Sequence, residues 1–449
     1  MINYRQLWLI LKELFTKIRY ISYIMNLTIK CQAIRGQKTL QQIGRITTGL
    51  YNSASYHRQQ VWKKTGKIPG YYEQYRIFQD NHLARLLYAQ VAQQTLKEID
   101  RAYRSWYVLR RKDSNARPPK FRKPKTPVSI WWTPNSFKII DDKTIRFSIA
   151  NLGTGRKFLS VRIIPDLRYK LKELNIKMIN VVFNGDDVYA CLCCQFQEPK
   201  LIEAKEIIAL DLGIINLVAS TDTKGKQEII SGRKLLSTQR YFNKKVASLQ
   251  SQLKKDQRST KAIRRLKRKS SRQIKHALHI ASKHIIKEAK EKQACILVGD
   301  LTGLRKSKSK KIVVTETGEK IKKRTCNKKA GQKIHSWSYA TFTSLLDYKA
   351  KLQGVELFKV SERYTSRTCP VCGTIKRSNR VKRGLYKCSC GYQDNADVNG
   401  AKNILLNWIK ENVSPVSCDI GVVVRGVDRS IYKFDFSNLY GQRIPIFVA

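Results

Sequence analysis

Acidic residues are scarce in this chain. Asp and Glu total 33 of 449 residues against 88 Lys and Arg, which gives a formal net charge of +55. Self-repulsion of that size excludes an ordinary small-molecule enzyme working alone, because only a polyanion neutralises it. Nucleic acid is the partner it implies. A ribosomal-type protein would be smaller and would lack a carboxylate constellation. A membrane-surface binder would show a long basic amphipathic helix and little else.

Long apolar runs are also missing, and none reaches the length that spans a bilayer, so no membrane role is expected. The first 25 residues, MINYRQLWLILKELFTKIRYISYIM, come nearest to a secretory signal. Lys12, Glu13, Lys17 and Arg19 interrupt them, and no small-residue cleavage site follows. Residues 1–24 therefore read as an amphipathic or upstream-start extension, with Met25 as a candidate start. An even disulfide framework is absent too. Of 11 cysteines, Cys369, Cys372, Cys388 and Cys390 cluster, while Cys191, Cys193 and Cys194 fall in an apolar run and read as core packing. That pattern suits a reducing compartment with one metal site.

What is present changes period along the chain. Residues 25–35 alternate apolar and polar as a strand does. Residues 39–62 read as a helix, and residues 81–106 as a second one, with Leu83, Leu87, Val91, Thr95, Ile99, Ala102 and Trp106 on one face. The Pro- and Lys-rich stretch 112–127 breaks the pattern. Beyond it come six short strands, the last two joined through Asn184-Gly185-Asp186, a hairpin signal. They predict a small β-barrel or sandwich, completed by the strand at Leu27.

A new unit begins at Glu206. EIIALDLGIINLVASTD reads as one buried strand around Asp211, followed by a turn and a strand at 227–230. A strongly basic helical region at 240–292 follows, then the apolar strand QACILVGDL. A Lys-rich loop spans 304–333. A helix at 336–352 is stopped by Gly354, and VELFKVSE is the next strand. Residues 397–409 predict a final helix.

This order, with acids at strand ends and on the last helix, is that of the RNase H fold. There carboxylates at one sheet edge hold two divalent ions about 4 Å apart for phosphodiester hydrolysis. Asp211, ionisable within an apolar strand, needs a cation; capping the following turn is its alternative role. Asp397 opens a helix, where N-capping is the alternative. Asn399 and Asn403, four apart, could orient substrate or water. Cys369-x-x-Cys372 and Cys388-x-Cys390 have the spacing of a structural tetrahedral zinc site. The loop RSNRVKRG between the pairs suits either solvent or nucleic acid. RKSKSKK at 305–311 suits a single-strand contact or lid. His276, His279 and His284 are expected to face solvent or RNA. Trp62, Tyr71, Tyr72 and Tyr75 could stack on bases or pack a core.

IALDLGIINLVAST, VGDL, YTSRTCPVCG, CSCGY and NADVNGAKNI, taken in order, resemble the RuvC motifs and zinc ribbon of TnpB. That is the transposon-encoded RNA-guided nuclease family related to type V CRISPR effectors. The resemblance covers about residues 204–410 by motif and reaches back to Leu27 by architecture. It implies a multidomain α+β chain: an RNase H-like (RuvC) α/β nuclease with an inserted zinc ribbon, preceded by a β-barrel wedge domain with a helical insert. The expected boundaries are 25–36 and 115–203 for the wedge and 37–114 for helical recognition. The nuclease takes 204–366 and 392–410, the ribbon 367–391, and a tail 411–449. The resemblance further implies a guide RNA, a double-stranded DNA target cut next to a short adjacent motif, two Mg²⁺ and one Zn²⁺. A cytoplasmic, prokaryotic, nucleoid-associated location goes with it. A nuclease-dead guide-dependent regulator and a guide-free transposase or resolvase are the competing expectations.

One departure stands out. Where most of the family has a Glu at the end of the second buried strand, this chain has Gly299, then Asp300. Side chains alternate across a strand, so Asp300 is expected to face away. Glu362, at the end of the neighbouring strand, is expected to replace the missing acid and to complete the set Asp211, Glu362, Asp397. Asp300 is the alternative.

Overall fold

The computed structural model describes residues 24–150, 155, 157–164, 169–185, 187–254, 257, 259–302, 311–314, 320–323, 328–382, 384–412 and 431–434. The N-terminal extension, residues 305–310 of the basic loop and most of the tail lie outside them. The described residues form two compact units that meet in sequence at Gln197–Glu198. Among them, no helix is long and apolar enough to cross a membrane.

The first unit opens with β1 (Ile24–Ala33), followed by helices α1 (Gln37–Thr65), α2 (Tyr71–Phe78), α3 (His82–Arg85) and α4 (Ala89–Lys112). Strands β2 (Ile130–Trp132), β3 (Phe137–Asp141), β4 (Thr144–Ser148), β5 (Phe158–Ile164), β6 (Asn175–Asn184) and β7 (Asp187–Gln197) complete it. They form one seven-stranded sheet in the order β2-β6-β7-β1-β5-β4-β3. The segment at Leu27 does complete the sheet, as its central strand between β7 and β5. No ladder joins β2 to β3 among the described residues, but the two edge strands follow one another through the turn at 134–136, and Trp132 Nε1 donates to the Ser148 carbonyl at the end of β4, so the sheet curls back on itself. Asn184 pairs with Asp187 across a two-residue turn that places Gly185 at φ 67°, as the Asn-Gly signal demands.

Helices and sheet share one apolar core, in which Leu40, Leu50, Leu96 and Ile99 meet Trp132, Phe147 and Val181. Arg58 is fully buried. It donates to Gln74 Oε1 and Asp100 Oδ1, so its charge is paired as burial requires. The expected helix 81–106 is two helices. Asn81 Oδ1 accepts the Leu83 N–H to cap a single turn, and the chain kinks over Leu86–Tyr88 before α4. Tyr71, Tyr75 and Trp62 pack partly buried against the core, whereas Tyr72 is exposed.

The second unit is built on β8 (Glu206–Leu212), β9 (Asn216–Asp222) and β10 (Gln227–Ser231), then α5 (Arg233–Ser251) and α6 (Lys261–Glu291). Next come β11 (Ala294–Asp300), β12 (Lys311–Val314), β13 (Lys320–Lys323), α7 (Lys328–Ser336) and α8 (Tyr339–Leu352). β14 (Leu357–Ser361), the ribbon strands β15 (Tyr386–Lys387) and β16 (Gln393–Asp394), α9 (Ala396–Asn412) and β17 (Ile431–Phe434) end it.

The sheet order is β14-β11-β8-β9-β10-β17, with β8 parallel to β11 and β11 parallel to β14, while β8, β9 and β10 form an antiparallel meander. This is the RNase H arrangement. The expected single strand over 206–222 is thus two strands, turned at Gly213. The expected basic helical region 240–292 is α5, which starts earlier at Arg233, and α6. The Lys-rich loop contains a hairpin, β12-β13, and α7.

Alternation along β8 sorts the two faces. Ile208, Leu210 and Leu212 pack under Leu278, Ile285 and Ile286 of α6 and Phe342 and Leu346 of α8. Ile207 and Ala209 pack with Cys295, Leu297 and Val360 under Ile404, Leu405 and Trp408 of α9.

Candidate active site

Face parity brings the acids together. Asp211 continues the series Ile207, Ala209 on the α9 face, and Gly299 continues Cys295, Leu297 on that face. Glu362 continues Phe358, Val360 there. Register puts the strands level: Val298 pairs with Leu210, and Gly299 with Val360. Asp300 has the opposite parity, on the face of Ile296 and Val298. It is exposed, and its Oδ1 accepts both the N–H and the hydroxyl of Thr302. Those two bonds hold its carboxyl below the usual range. Asp300 is a local turn residue.

Two glycines make room for the carboxylates. A Cβ on Gly299 would lie 1.9 Å from Glu362 Oε1, so the Glu362 carboxyl fills the space a side chain at 299 would need. A Cβ on Gly400 of α9 would lie 2.3 Å from Asp211 Oδ2. Gly400 therefore lets the helix pass directly over Asp211. Asp397 lies three residues earlier, on the same side of that helix.

Asp397 is not the helix cap. Asn395 Oδ1 accepts the N–H groups of Asp397 and Val398 at 2.9 and 3.4 Å. The Asp397 carboxylate is left to accept from Asn216 Nδ2 and Arg380 Nη2, each at 2.8 Å. Arg380 sits in the RSNRVKRG loop of the ribbon. Neither Arg380 nor Asn216 was legible as a site residue. A basic residue between the cysteine pairs was the only trace of the first, and nothing marked the second.

Burial and like charge dominate the electrostatics of the site. Burial pushes the Asp211 carboxyl up to about 7; the Asp397 charge adds to the rise and Arg380 opposes it. Burial pushes Glu362 up to about 8, with Asp211 and Asp300 adding to it. Glu362 Oε1 is buried and has no hydrogen-bond partner. Asp211 is close enough to feel the Asp397 charge and Glu362 close enough to feel that of Asp211, although the three carboxylates are not all within 4.8 Å of one another; oxygen ligands of this kind suit hard divalent cations. Asp211, Glu362 and Asp397 would hold them.

The cysteines form a separate site. Cys369, Cys372, Cys388 and Cys390 have their sulfurs within 4.8 Å of one another. Cys369–Cys390 and Cys372–Cys388 are each 3.6 Å apart. Thiolates around a tetrahedral ion at about 2.3 Å would lie about 3.8 Å apart, so the set fits zinc. Tyr386 and Ala396 pack beside them in a small core of the ribbon's own.

Asn399 and Asn403 brace that ribbon. Both are buried, and their Nδ2 groups donate to the carbonyls of Thr365 and Thr368. Lys402 Nζ donates to Asp394 Oδ2 and ties the ribbon's exit to the same helix. His276, His279 and His284 are half-buried, and His284 Nε2 lies 2.8 Å from Glu228 Oε1, so a carboxylate of the neighbouring strand holds His284. Glu288 gathers beside that pair, but Lys226 and Lys292 each reach it at 2.9 Å and supply its cations.

Residues 191–302 match the family described as probable transposase (OrfB of IS605), and residues 339–404 match the Cas12f1-like TNB domain. A CRISPR-associated endodeoxyribonuclease Cas12f1 of Sulfoacidibacillus thermotolerans is 38% identical over 74 residues, 16% of this chain and 18% of that protein. The putative RNA-guided DNA endonuclease InsQ of Escherichia coli (strain K12) is 24% identical over 71% of this chain and 74% of its own. A TnpB-like protein of Methanocaldococcus jannaschii is 25% identical over 67% of this chain and 99% of its own. The fold resembles that of Cas12f1 in a complex with guide RNA and target DNA, with a TM-score of 0.56, 16% identity and 82% of each chain covered. On motifs, sheet order and relatives together, the chain is a relative of the TnpB family.

Proposed function

We propose that the chain is an RNA-guided DNA endonuclease that cuts double-stranded DNA next to a short adjacent motif by metal-dependent phosphodiester hydrolysis. The observation that carries this reading is the meeting of Asp211, Glu362 and Gly299 on the sheet face covered by the helix of Asp397. In it, Asp211, Glu362 and Asp397 hold two Mg²⁺, which when bound supply activated water and charge for the leaving oxygen. Asn216 and Arg380 orient the Asp397 carboxylate. The unpartnered Oε1 of Glu362 and the raised proton affinity of Asp211 favour cation binding over a purely structural role. Cys369, Cys372, Cys388 and Cys390 would hold zinc, which would keep the ribbon folded, while Asn399, Asn403 and Lys402 tie the ribbon to α9.

The same reading makes the first unit the wedge (25–36 and 115–203) and helical recognition region (37–114). It would read guide, duplex shape and adjacent motif while base pairing reads sequence. Arg264, Arg265, Lys267, Lys269 and Arg272, exposed along α6, give the second unit a backbone-binding face. A bacterial or archaeal cytoplasm, on the nucleoid, is where such a protein works.

The test is purification of the full chain expressed with its flanking element. Sequencing of the bound RNA is followed by incubation with Mg²⁺ and a plasmid library carrying a randomised flank beside the guide-matched site. Bound RNA and cuts beside one flank sequence are expected. RNA-free protein without cutting would overturn the reading. Bound RNA with site-specific DNA binding but no cutting would make the chain a regulator.

A further inference from the structure

Tyr364 stands two residues beyond Glu362 in a backbone conformation that tyrosine seldom adopts. Its φ is 63°, in the left-handed region where glycine or asparagine is at home. The turn that imposes this is tightly held. The Tyr364 carbonyl accepts from the N–H groups of Arg367 and Thr368 and from the Thr368 hydroxyl. The Glu362 carbonyl accepts from the N–H and hydroxyl of Thr365. This closed turn carries the chain from β14 into the ribbon.

Strain at such a position persists only where the surroundings enforce it, and it gathers at ligand sites. Burial of the ring is not the compensation here. Tyr364 is 46% exposed, and its ring packs in none of the apolar clusters. The neighbour it has is cationic. The Arg363 guanidinium lies over the ring, 5.0 Å from its centroid, and Arg363 and Arg367 are both exposed. An exposed aromatic face flanked by guanidinium groups is the combination that binds a single strand: the ring takes a base and the cations take its phosphates.

We infer that Tyr364 is a substrate-positioning residue, whose ring stacks on a base of the DNA strand entering the acid site while Arg363 contacts the adjoining phosphate. This rests on the nuclease reading above and adds the group that aligns the strand. It also gives the left-handed turn a purpose: it ties the exposed ring and Glu362 to one short, closed segment.

The backbone strain supplies an unusually clean test. Glycine is favoured at φ 63°, so Tyr364→Gly removes the ring without a folding penalty. The guide-loaded full chain would be compared as wild type, Y364G, Y364A and Y364F. Each is given target strands that carry 2-aminopurine at successive positions around the cut, and cutting is followed over a range of protein concentration. Y364G is expected to melt at or above the wild-type temperature. It should nonetheless need at least about fivefold more protein for half-maximal cutting, the low end of what one base–aromatic stack contributes. The 2-aminopurine quench at one position should vanish in Y364G and Y364A and return in Y364F. Wild-type cutting and quenching in Y364G would overturn the inference while leaving the nuclease reading intact. A lowered melting temperature in Y364G would make the ring structural and overturn it as well. Failure of the wild type to cut would remove both readings together.

Discussion

At position 299 a glycine and at position 362 a glutamate share one volume, and that exchange has measurable consequences. Gly299→Ala drives a Cβ into the Glu362 carboxyl. A loss of about 1–3 kcal/mol of stability is expected, of the size of other overpacked core sites, and cutting should fail because Glu362 is displaced. Gly299→Glu alone overfills the space, and Glu362→Gly alone empties it. The double variant G299E/E362G returns one carboxyl to the same place, so its cutting should exceed that of either single variant.

Proton linkage tests the same pair. The folded carboxyls of Asp211 and Glu362 sit at about 7 and about 8, against about 4 in the unfolded chain. Between those values the folded state holds protons that the unfolded state has released, so metal-free stability falls as pH rises from about 4 through about 8. Divalent ions displace the same protons and bind better as pH rises. For zinc-loaded protein, the rise in melting temperature on adding Mn²⁺ should be larger at pH 8 than at pH 6. The D211N/E362Q variant should lose both slopes.

Among the elements, the ribbon and the helix α9 behave as one piece. Asn399 and Asn403 bind the carbonyls at the ribbon's root, Lys402 binds its exit, and Arg380 returns from its loop to Asp397. Asn403→Ala removes one of the two amide donors to the Thr365 and Thr368 carbonyls and leaves them to Asn399 alone. It should cost about 1–3 kcal/mol and weaken zinc retention against a competing chelator, although no cysteine has changed. Cys372→Ser should release zinc and abolish cutting while the apolar strands β8 and β11 stay protected in hydrogen exchange.

The elements show what alternation and spacing can reveal. The two-residue period carried Asp211 and Glu362 to one face and Asp300 to the other, and the cysteine spacing carried the ribbon. The division of 206–222 into two strands stayed hidden because Gly213 and Asn216 are single turn formers separated by two isoleucines in an apolar run, and the turn closes through the Gly213 N–H to the Leu217 carbonyl. The bracing role of Asn399 and Asn403 depends on carbonyls more than thirty residues away. The grip of Arg380 on Asp397 depends on the fold of a loop. Contacts of that kind leave no periodic trace.

For the molecule as a whole, the charge of +55 sets the behaviour. With 88 Lys and Arg against 33 Asp and Glu, the chain holds far more cations than carboxylates, so counterion release should dominate nucleic-acid affinity. Affinity for guide-free duplex DNA should fall by about 10³-fold or more between 50 and 200 mM salt if six to ten phosphates are neutralised. A flat salt dependence would mean that the basic faces of α6 and the first unit do not touch backbone. Tight binding without cutting would follow from the charge alone, so the acids need their own test. The most direct measurement is Mg²⁺-dependent cutting of a guide-matched plasmid by RNA-loaded wild type, Glu362→Gln and Asp300→Asn, each checked for equal bound RNA and zinc. Cutting by wild type and D300N with none by E362Q is the expected result. Cutting by E362Q together with its loss in D300N would contradict the account.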